Sequence, residues 1–302
     1  MEGILIFTLI FFTSLLFTWN SSSLFISGLT SSSIAKFKVA GSFTALSMIL
    51  GLIVEGWKME PENLVVEDAF YPSLLTILII LSISNFLSIP ISVSSISVAS
   101  LIGASISLST QVNLIFLITT VLAWFVAPLS SILLTSILYN VMRNVLKLLS
   151  LGLLSLLNKI IAYTATFYAA YVLSANNLGF LLSMLDKGSG PSYLIALMGI
   201  VFGSLFFSER ISYIIGERLA ILSPVKLSSS LLSSSIILWI LTQFSIPSAI
   251  TQIILGGLIG TAVSSPSSTI NIKLFKKLII SWIITTFLAI PSSYILSIIT
   301  LR

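Results

Sequence analysis

Two stretches of this chain repeat one another, and the repeat constrains the fold more than any other feature. SIPISVSSISVASLIGASIS begins at Ser88, and SIPSAITQIILGGLIGTAVS begins 157 positions later, at Ser245. Both stretches open with Ser-Ile-Pro, continue with hydroxyl or amide side chains, and reach a Leu-Ile-Gly sequence at Gly103 and Gly260. A chain that carries one such pattern twice is best interpreted as a duplication.

The composition predicts that the duplicated unit lies in a membrane. Of the 302 residues, 57% are hydrophobic and 8% are charged, whereas soluble domains have about a quarter of their residues charged. Uncharged runs at 112–138 and 278–299 exceed the ~20 residues that an apolar helix needs to cross the hydrocarbon. The runs are apolar all round, without the alternation of a transmembrane barrel. We therefore predict an all-α integral membrane protein.

Apolar segments occur five times in each half, which predicts about ten membrane segments in two repeats. We expect a first repeat at 1–142, an interfacial linker helix at 143–159 and a second repeat at 160–302. The first segment is expected to be interrupted near Trp19-Asn20, and the sixth near Ser174 to Asn177. The predicted segments are 3–33, 39–54, 70–88, 90–108, 112–140, 160–185, 192–207, 227–245, 247–264 and 274–300.

The charges predict that the two repeats have inverted topology. An odd number of crossings in each half makes the halves point in opposite directions across the bilayer. With the N-terminus outside, eleven of the fourteen Lys and Arg residues fall in inner loops, as the positive-inside bias requires. We expect a multi-pass protein of the cell (plasma) membrane. Segments 70–108 and 227–264 are either re-entrant or fully spanning, and the number of crossings in each half is odd in both cases.

The absent residue types exclude several classes of function. The chain has no cysteine and no histidine, so it lacks the thiolates and imidazoles on which most protein metal sites and much acid–base catalysis depend. No pair of acidic residues lies inside an apolar segment, and we therefore expect neither an enzyme nor a bound cofactor. The net charge is +5. In a membrane protein, an excess of Lys and Arg mostly reflects their enrichment in inner loops, so no nucleic-acid partner is expected.

Polar residues inside the apolar segments predict a binding site where the repeats meet. Secondary transporters commonly bind substrate near the midplane at broken helices, whose free N-terminal amides point at an anion. Pro90 and Pro247 fit the first turn of such helices. A lone serine or asparagine in a membrane helix usually bonds within its own helix or to a neighbour, but recurrence at equivalent positions favours a shared site. The candidate residues are Asn20, Ser21, Ser92, Ser94, Ser95, Asn176, Asn177, Thr251 and Gln252.

Over nearly its whole length, the chain resembles the inorganic phosphate transporter (PiT) family. In that family, each of two repeats pairs a Gly-Ala-Asn-Asp-like motif with a later Pro-Val-Ser-Thr-Thr-like motif. The sequences TWNS at 18–21 and SANN at 174–177 resemble the first motif, and IPISVSS at 89–95 and IPSAITQ at 246–252 resemble the second. The resemblance implies a phosphate carrier that works by alternating access between the repeats. It also implies a homodimer in the lipid bilayer.

The main departure from the family concerns the coupling ion. The motif aspartates, which by resemblance hold sodium ions, are Ser21 and Asn177 here. The resemblance then leaves Asn20, Asn176 and Asn177 as neutral sodium ligands, weaker than a carboxylate would be. Either Na+ or H+ symport is open on the sequence alone. Two alternatives also stay open, namely a permease for sulfate or another oxyanion and a non-transporting membrane subunit.

Overall fold

In the described residues, the chain is helical apart from turns and one isolated bridge between Val65 and Val112. The computed structural model describes residues 2–89, 91–186, 190–219, 223–265 and 272–301. The helices of the first half are α1 (Glu2–Ser31), α2 (Phe37–Glu55), α3 (Phe70–Phe86), α4 (Val93–Leu108) and α5 (Leu114–Leu146). Those that follow are α6 (Leu151–Leu173), α7 (Gly179–Ser183), α8 (Gly190–Phe202), α9 (Glu209–Leu219), α10 (Pro224–Gln243), α11 (Ile250–Ser264) and α12 (Ile272–Leu301).

Eight of the described helical segments are long and apolar enough to cross a membrane. The other two apolar helices, α4 and α11, have 16 and 15 residues. At ~1.5 Å per residue they reach about 24 Å, which is short of the ~30 Å hydrocarbon core. The predicted all-α membrane fold with about ten apolar segments is confirmed, and the two short helices fall at equivalent places in the two halves.

Three local predictions were wrong. Helix α1 is continuous through Trp19-Asn20, because the Asn20 side chain finds partners outside its own helix and leaves the backbone ladder intact. The predicted linker helix at 143–159 is not a separate element, since α5 continues to Leu146 and α6 begins at Leu151. Pro247 precedes α11 by three positions and does not lie in its first turn. Pro90 lies outside the described residues.

The predicted interruption of the sixth segment is present as a π-helical turn. Residues Ser174–Leu178 form this turn between α6 and α7, and a second π-helical turn at Gly203–Phe207 follows α8. Single π turns inside α-helices widen the ladder by one residue and are frequent at functional sites. Here the first turn carries both Asn176 and Asn177.

The last two helices of each half pack against the last two helices of the other half. Helix α4 packs against α12, and α11 packs against α5. A Cβ atom at Gly103 would lie 2.2 Å from the carbonyl oxygen of Ile290, and one at Gly260 would lie 2.3 Å from that of Ile132. Glycine is therefore required at both positions for the backbones to approach this closely. This explains why Leu-Ile-Gly recurs in the sequence.

The first helices of the two halves also pack against each other. Helix α1 packs against α8, and α2 packs against α6. A Cβ at Gly51 would meet the carbonyl oxygen of Tyr171 at 1.9 Å, and a Cβ at Gly203 would meet that of Leu15 at 2.6 Å. Tyr171 and Leu15 are 156 positions apart, which is the spacing that also separates Asn176 from Asn20. Equivalent close contacts therefore hold the two halves together.

Candidate functional site

The described residues of the α3–α4 turn (87–89 and 91–92) have the same local structure as their counterparts in the α10–α11 turn (244–249). Ser88 and Ser245 adopt left-handed conformations with φ of 56° and 57°, which is uncommon for a residue other than glycine. The amide of Ile89 donates to the carbonyl of Ser84 at 2.9 Å, and the amide of Ile246 donates to that of Leu241 at 3.0 Å. The Ser-Ile-Pro sequence thus marks the end of a helix and a tight reversal in both halves.

Asn20 and Asn176 each bind the turn of their own half through the backbone. Asn20 Nδ2 donates to the carbonyl of Ile89 at 3.2 Å, and its Oδ1 accepts from the amide of Ile91 at 3.4 Å. Asn176 Nδ2 donates to the carbonyl of Ile246 at 3.0 Å, and its Oδ1 accepts from the amide of Ser248 at 3.1 Å. Both asparagines are buried. They position the turns that lead into α4 and α11.

Asn85 and Thr242 complete this arrangement and were missed by sequence reasoning. Asn85 Oδ1 accepts from Asn20 Nδ2 at 2.8 Å, and Asn85 Nδ2 donates to the carbonyl of Leu16 at 2.9 Å. Thr242 Oγ1 accepts from Asn176 Nδ2 at 3.1 Å. The two residues are 157 positions apart, each three residues before a Ser-Ile-Pro sequence. Extending the repeat toward the N-terminus from those sequences would have identified the pair.

Asn177 joins the two halves. Its Nδ2 donates to Asn176 Oδ1 at 2.9 Å and to the carbonyl of Ser248 at 3.0 Å, both within the second half. Its Oδ1 accepts from the hydroxyl of Ser94, which lies in the first turn of α4. The predicted candidate Ser94 is therefore in direct contact with the predicted candidate Asn177.

The starts of α4 and α11 leave their amide groups available. Their N-cap residues are Ser92 and Ala249, and neither side chain caps the helix. The Ser92 hydroxyl is instead 2.7 Å from the hydroxyl of Ser95. An uncapped N-terminus presents several backbone N–H groups and the positive end of the helix dipole. Such a terminus favours a bound anion.

A small cavity lies between these two helix starts. Its volume is about 20 Å³, enough for about one water molecule. No lining residue carries an ionisable side chain, and the helix starts of both halves contribute. The lining residues are Ser21, Ile91, Ser92, Val93, Leu173, Asn177, Ala249, Ile250 and Thr251.

Most of the nine candidate residues meet around this cavity. Four of them line it, namely Ser21, Ser92, Asn177 and Thr251. Ser94 and Ser95 form hydrogen bonds with residues that line the cavity. Asn20 and Asn176 accept hydrogen bonds from the backbone amides of Ile91 and Ser248, at or next to the lining. Gln252 is half-buried and is not among the lining residues. Serines elsewhere behave as membrane serines commonly do: Ser97, Ser234 and Ser235 donate to the carbonyl four residues earlier.

The donor set available to a cation contains neutral oxygens. Among the described residues there is no group of three or more His, Cys, Asp or Glu side chains that could hold a metal ion. The Oδ1 atoms of Asn20 and Asn176 already accept backbone amides. Of the three asparagines with a predicted sodium role, only Asn177 lines the cavity. Amide, hydroxyl and carbonyl oxygens are ligands that hard cations accept.

A larger cavity of about 280 Å³ lies beside Met59 and Gly179. Its polar lining includes Glu60, Glu62 and Asp186. The Met59 sulfur is 3.6 Å from Asn176 Nδ2, so this cavity adjoins the asparagine pair without including it. Carboxylates repel an anion and attract cations. The smaller cavity, where the uncapped helix starts are, is therefore the better candidate for binding an anion.

Three comparisons relate this chain to known proteins. A sequence model of the phosphate transporter family matches residues 153–293. A Methanocaldococcus jannaschii protein with the name "Putative phosphate permease" is 25% identical over 261 residues, covering 84% of this chain and 82% of that protein. A Chlamydia muridarum protein of the same name is 28% identical over 101 residues, which cover 33% of this chain and 23% of that protein.

The fold has a solved counterpart. The structure titled "The sodium-dependent phosphate transporter" superposes with a TM-score of 0.80 at 13% identity, covering 99% of this chain and 98% of that one. The match therefore includes both halves and the helix pairs α4–α12 and α11–α5. Together with the paired motifs, these findings confirm the resemblance to the phosphate transporter family that the sequence predicts.

Proposed function

We propose that this protein is a secondary active transporter, not an enzyme, that carries inorganic phosphate across the membrane by alternating access. Similarity to the phosphate transporter family and the names of the similar proteins support phosphate as the substrate. The observation that carries the proposal is the cavity between the uncapped starts of α4 and α11. Each half supplies one helix start, which is the arrangement expected where repeats alternate around a shared site.

Phosphate would be bound by neutral donors. The two helix starts offer backbone amides, each at a positive dipole end of about +0.5 charge, and Ser92, Asn177 and Thr251 add hydroxyl and amide groups at the lining. The dipoles alone do not balance the charge of a phosphate ion in a low-dielectric site. A co-transported cation would supply the remainder, and we propose Na+ or H+ symport for that reason.

For Na+, the protein would use Asn177 and nearby oxygens at the cavity. The resemblance also assigns Asn20 and Asn176 a sodium role, and they would join only if their backbone bonds rearranged. The structural counterpart is titled as sodium-dependent, which favours Na+ as the first cation to test. In this proposal the chain works as a homodimer in the plasma membrane, with its N-terminus outside.

The size of the cavity supports alternating access. About 20 Å³ accommodates about one water molecule, so phosphate cannot enter unless the starts of α4 and α11 move apart. Helix α4 lies against α12, and α11 lies against α5. The α4–α12 pair would therefore move against the α11–α5 pair, and this movement would open the site to one side at a time.

The decisive experiment is uptake of labelled phosphate into proteoliposomes under an imposed sodium gradient, an imposed proton gradient, or neither. We expect concentrative uptake with one gradient and little without. A tenfold excess of sulfate should compete weakly if phosphate is the substrate. Strong competition by sulfate would favour the oxyanion permease, because hydroxyl and amide donors bind both ions. Folded protein without uptake under any gradient would contradict the proposal and favour a non-transporting subunit.

A further inference from the structure

The two turns are alike in backbone but differ in how firmly they are held. In the α10–α11 turn, the indole Nε1 of Trp124 donates to the carbonyl of Pro247 at 2.9 Å. The backbone amide of Glu60 also donates to the hydroxyl of Ser245 at 2.7 Å. Both donors lie in the first half of the chain, so they fix the second turn from outside its own half.

Neither equivalent bond is made to the described residues of the α3–α4 turn. Its Ser88 hydroxyl, equivalent to Ser245, is buried and has no hydrogen-bond partner within the described part of the chain. The same is true of Trp282 Nε1, although the Trp282 side chain is only 7% exposed. Its bonds to Asn20 are also longer, at 3.2 and 3.4 Å, than the bonds of 3.0 and 3.1 Å that Asn176 makes to the other turn.

Helix packing makes Trp282 the counterpart of Trp124. Gly256 lies against Pro128, and Gly260 lies against Ile132, so α11 and α5 are parallel and each step of four residues along one helix matches four along the other. Four residues before the Gly256–Pro128 contact, this register pairs Gln252 with Trp124. Gly103 lies against Ile290, and the same register two turns earlier brings Trp282 level with Ser95. Ser95 and Gln252 are equivalent positions of the repeat, 157 residues apart.

We propose that Trp124 and Trp282 are alternating positioning residues, each holding one of the two turns closed in one state of the transport cycle. In the present structure Trp124 holds the α10–α11 turn, and the α3–α4 turn is the one ready to open. In the opposite state, Trp282 Nε1 donates to a backbone carbonyl of the α3–α4 turn, and the bond from Trp124 is broken. A buried indole N–H without an acceptor is unfavourable, so each state satisfies one indole and leaves the other unpaired.

This inference rests on the proposed alternating access, but its test does not use phosphate. The chain has no cysteine, so single reporters need no background removal. Val93→Cys (the α4 reporter) and Ile250→Cys (the α11 reporter) occupy equivalent first residues of the two helices, both buried here. Labelling with a membrane-impermeant maleimide, applied from each side of the membrane in turn, measures how often each turn opens.

The two tryptophans should have opposite effects on the two reporters. Trp124→Phe keeps an aromatic ring but removes the indole N–H, destabilises the present state, and should raise the labelling of the α11 reporter while lowering that of the α4 reporter. Trp282→Phe should do the reverse. The ratio of the two rates should change about five- to tenfold, as expected for the loss of one hydrogen bond. Trp57→Phe is the matched control, since its indole donates within its own segment to Val54.

Two further variants keep the test decisive. Ser245→Ala removes the bond from Glu60 and should shift the ratio in the same direction as Trp124→Phe, and the double tryptophan variant should return it toward the parent. Equal changes at both reporters, or no change with Trp282→Phe, would overturn the proposal. Sided labelling without phosphate uptake would contradict phosphate transport but not the turn mechanism.

Discussion

The hydroxyl of Ser94 donates to Oδ1 of Asn177 across the boundary between the two halves of the chain. Ser94 lies in the first turn of α4, and Asn177 lies in the π-helical turn after α6. The contact joins the proline motif of one repeat to the asparagine motif of the other. The candidate site therefore belongs to neither repeat alone.

Ser94→Ala tests whether this contact contributes to substrate binding. Losing one buried hydrogen bond costs about 1 kcal/mol, with a further cost because the Asn177 oxygen loses its donor. We expect the KM for phosphate to rise about five- to tenfold in uptake assays, with expression unchanged. Ser97→Ala is the control, since Ser97 lies on the same helix and donates to the Val93 carbonyl. Equal effects of the two variants would mean that Ser94 only stabilises the helix.

Ser21→Asp tests the proposed coupling to sodium. Ser21 lines the cavity at the position where the family motif has an aspartate, and it is half-buried, so a longer side chain can be accommodated. A carboxylate is a stronger ligand for a hard cation than a neutral oxygen. We expect the sodium concentration for half-maximal uptake to fall about tenfold, which corresponds to ~1.4 kcal/mol.

The control for this change is Ser21→Asn, which adds a similar volume without a charge. If both variants lower the sodium requirement equally, the effect is not electrostatic. Uptake that depends only on a proton gradient in the parent and in both variants would exclude sodium coupling at this position.

Asn85→Ala tests the support of the α3–α4 turn. The change removes the acceptor for Asn20 Nδ2 and the donor to the Leu16 carbonyl, leaving buried polar groups unpaired at about 1–3 kcal/mol each. We expect a lower melting temperature in detergent and a loss of most uptake. The effect should exceed that of Thr242→Val, because Asn85 makes two bonds to α1, whereas the Thr242 hydroxyl donates within its own helix to the Leu238 carbonyl. A larger effect of Thr242→Val would contradict the assignment of Asn85 as the support of Asn20.

Gly103→Ala tests the close packing of α4 on α12. The added Cβ would lie 2.2 Å from the carbonyl oxygen of Ile290, so the two backbones must separate. Overpacking of this kind costs about 1–3 kcal/mol, and we expect the melting temperature to fall. Gly152→Ala is the control, since nothing lies within 4 Å of its added methyl group. An unchanged melting temperature for Gly103→Ala would show that the helices separate at no cost.

The sequence by itself predicted the membrane class, the repeat and most of the residues that line or support the small cavity. These features depend on composition and on local patterns that recur at a constant spacing, as Asn20 and Asn176 do. It failed where a side chain finds its partner in a distant segment. Trp19-Asn20 was predicted to break a helix, yet α1 is continuous, because Asn85 and the carbonyl of Ile89 satisfy the Asn20 amide.

Only the tertiary structure decided how the two repeats fit together. Trp124 and Trp282 occupy equivalent positions of the two repeats, but Trp124 has an acceptor and Trp282 has none in the described structure. The same holds for Ser245 and Ser88. The physical reason is that hydrogen bonds between halves depend on the relative position of whole helices, which a repeated sequence does not specify. The chain thus determines two equivalent turns, and the packing of one half on the other determines which of them is held.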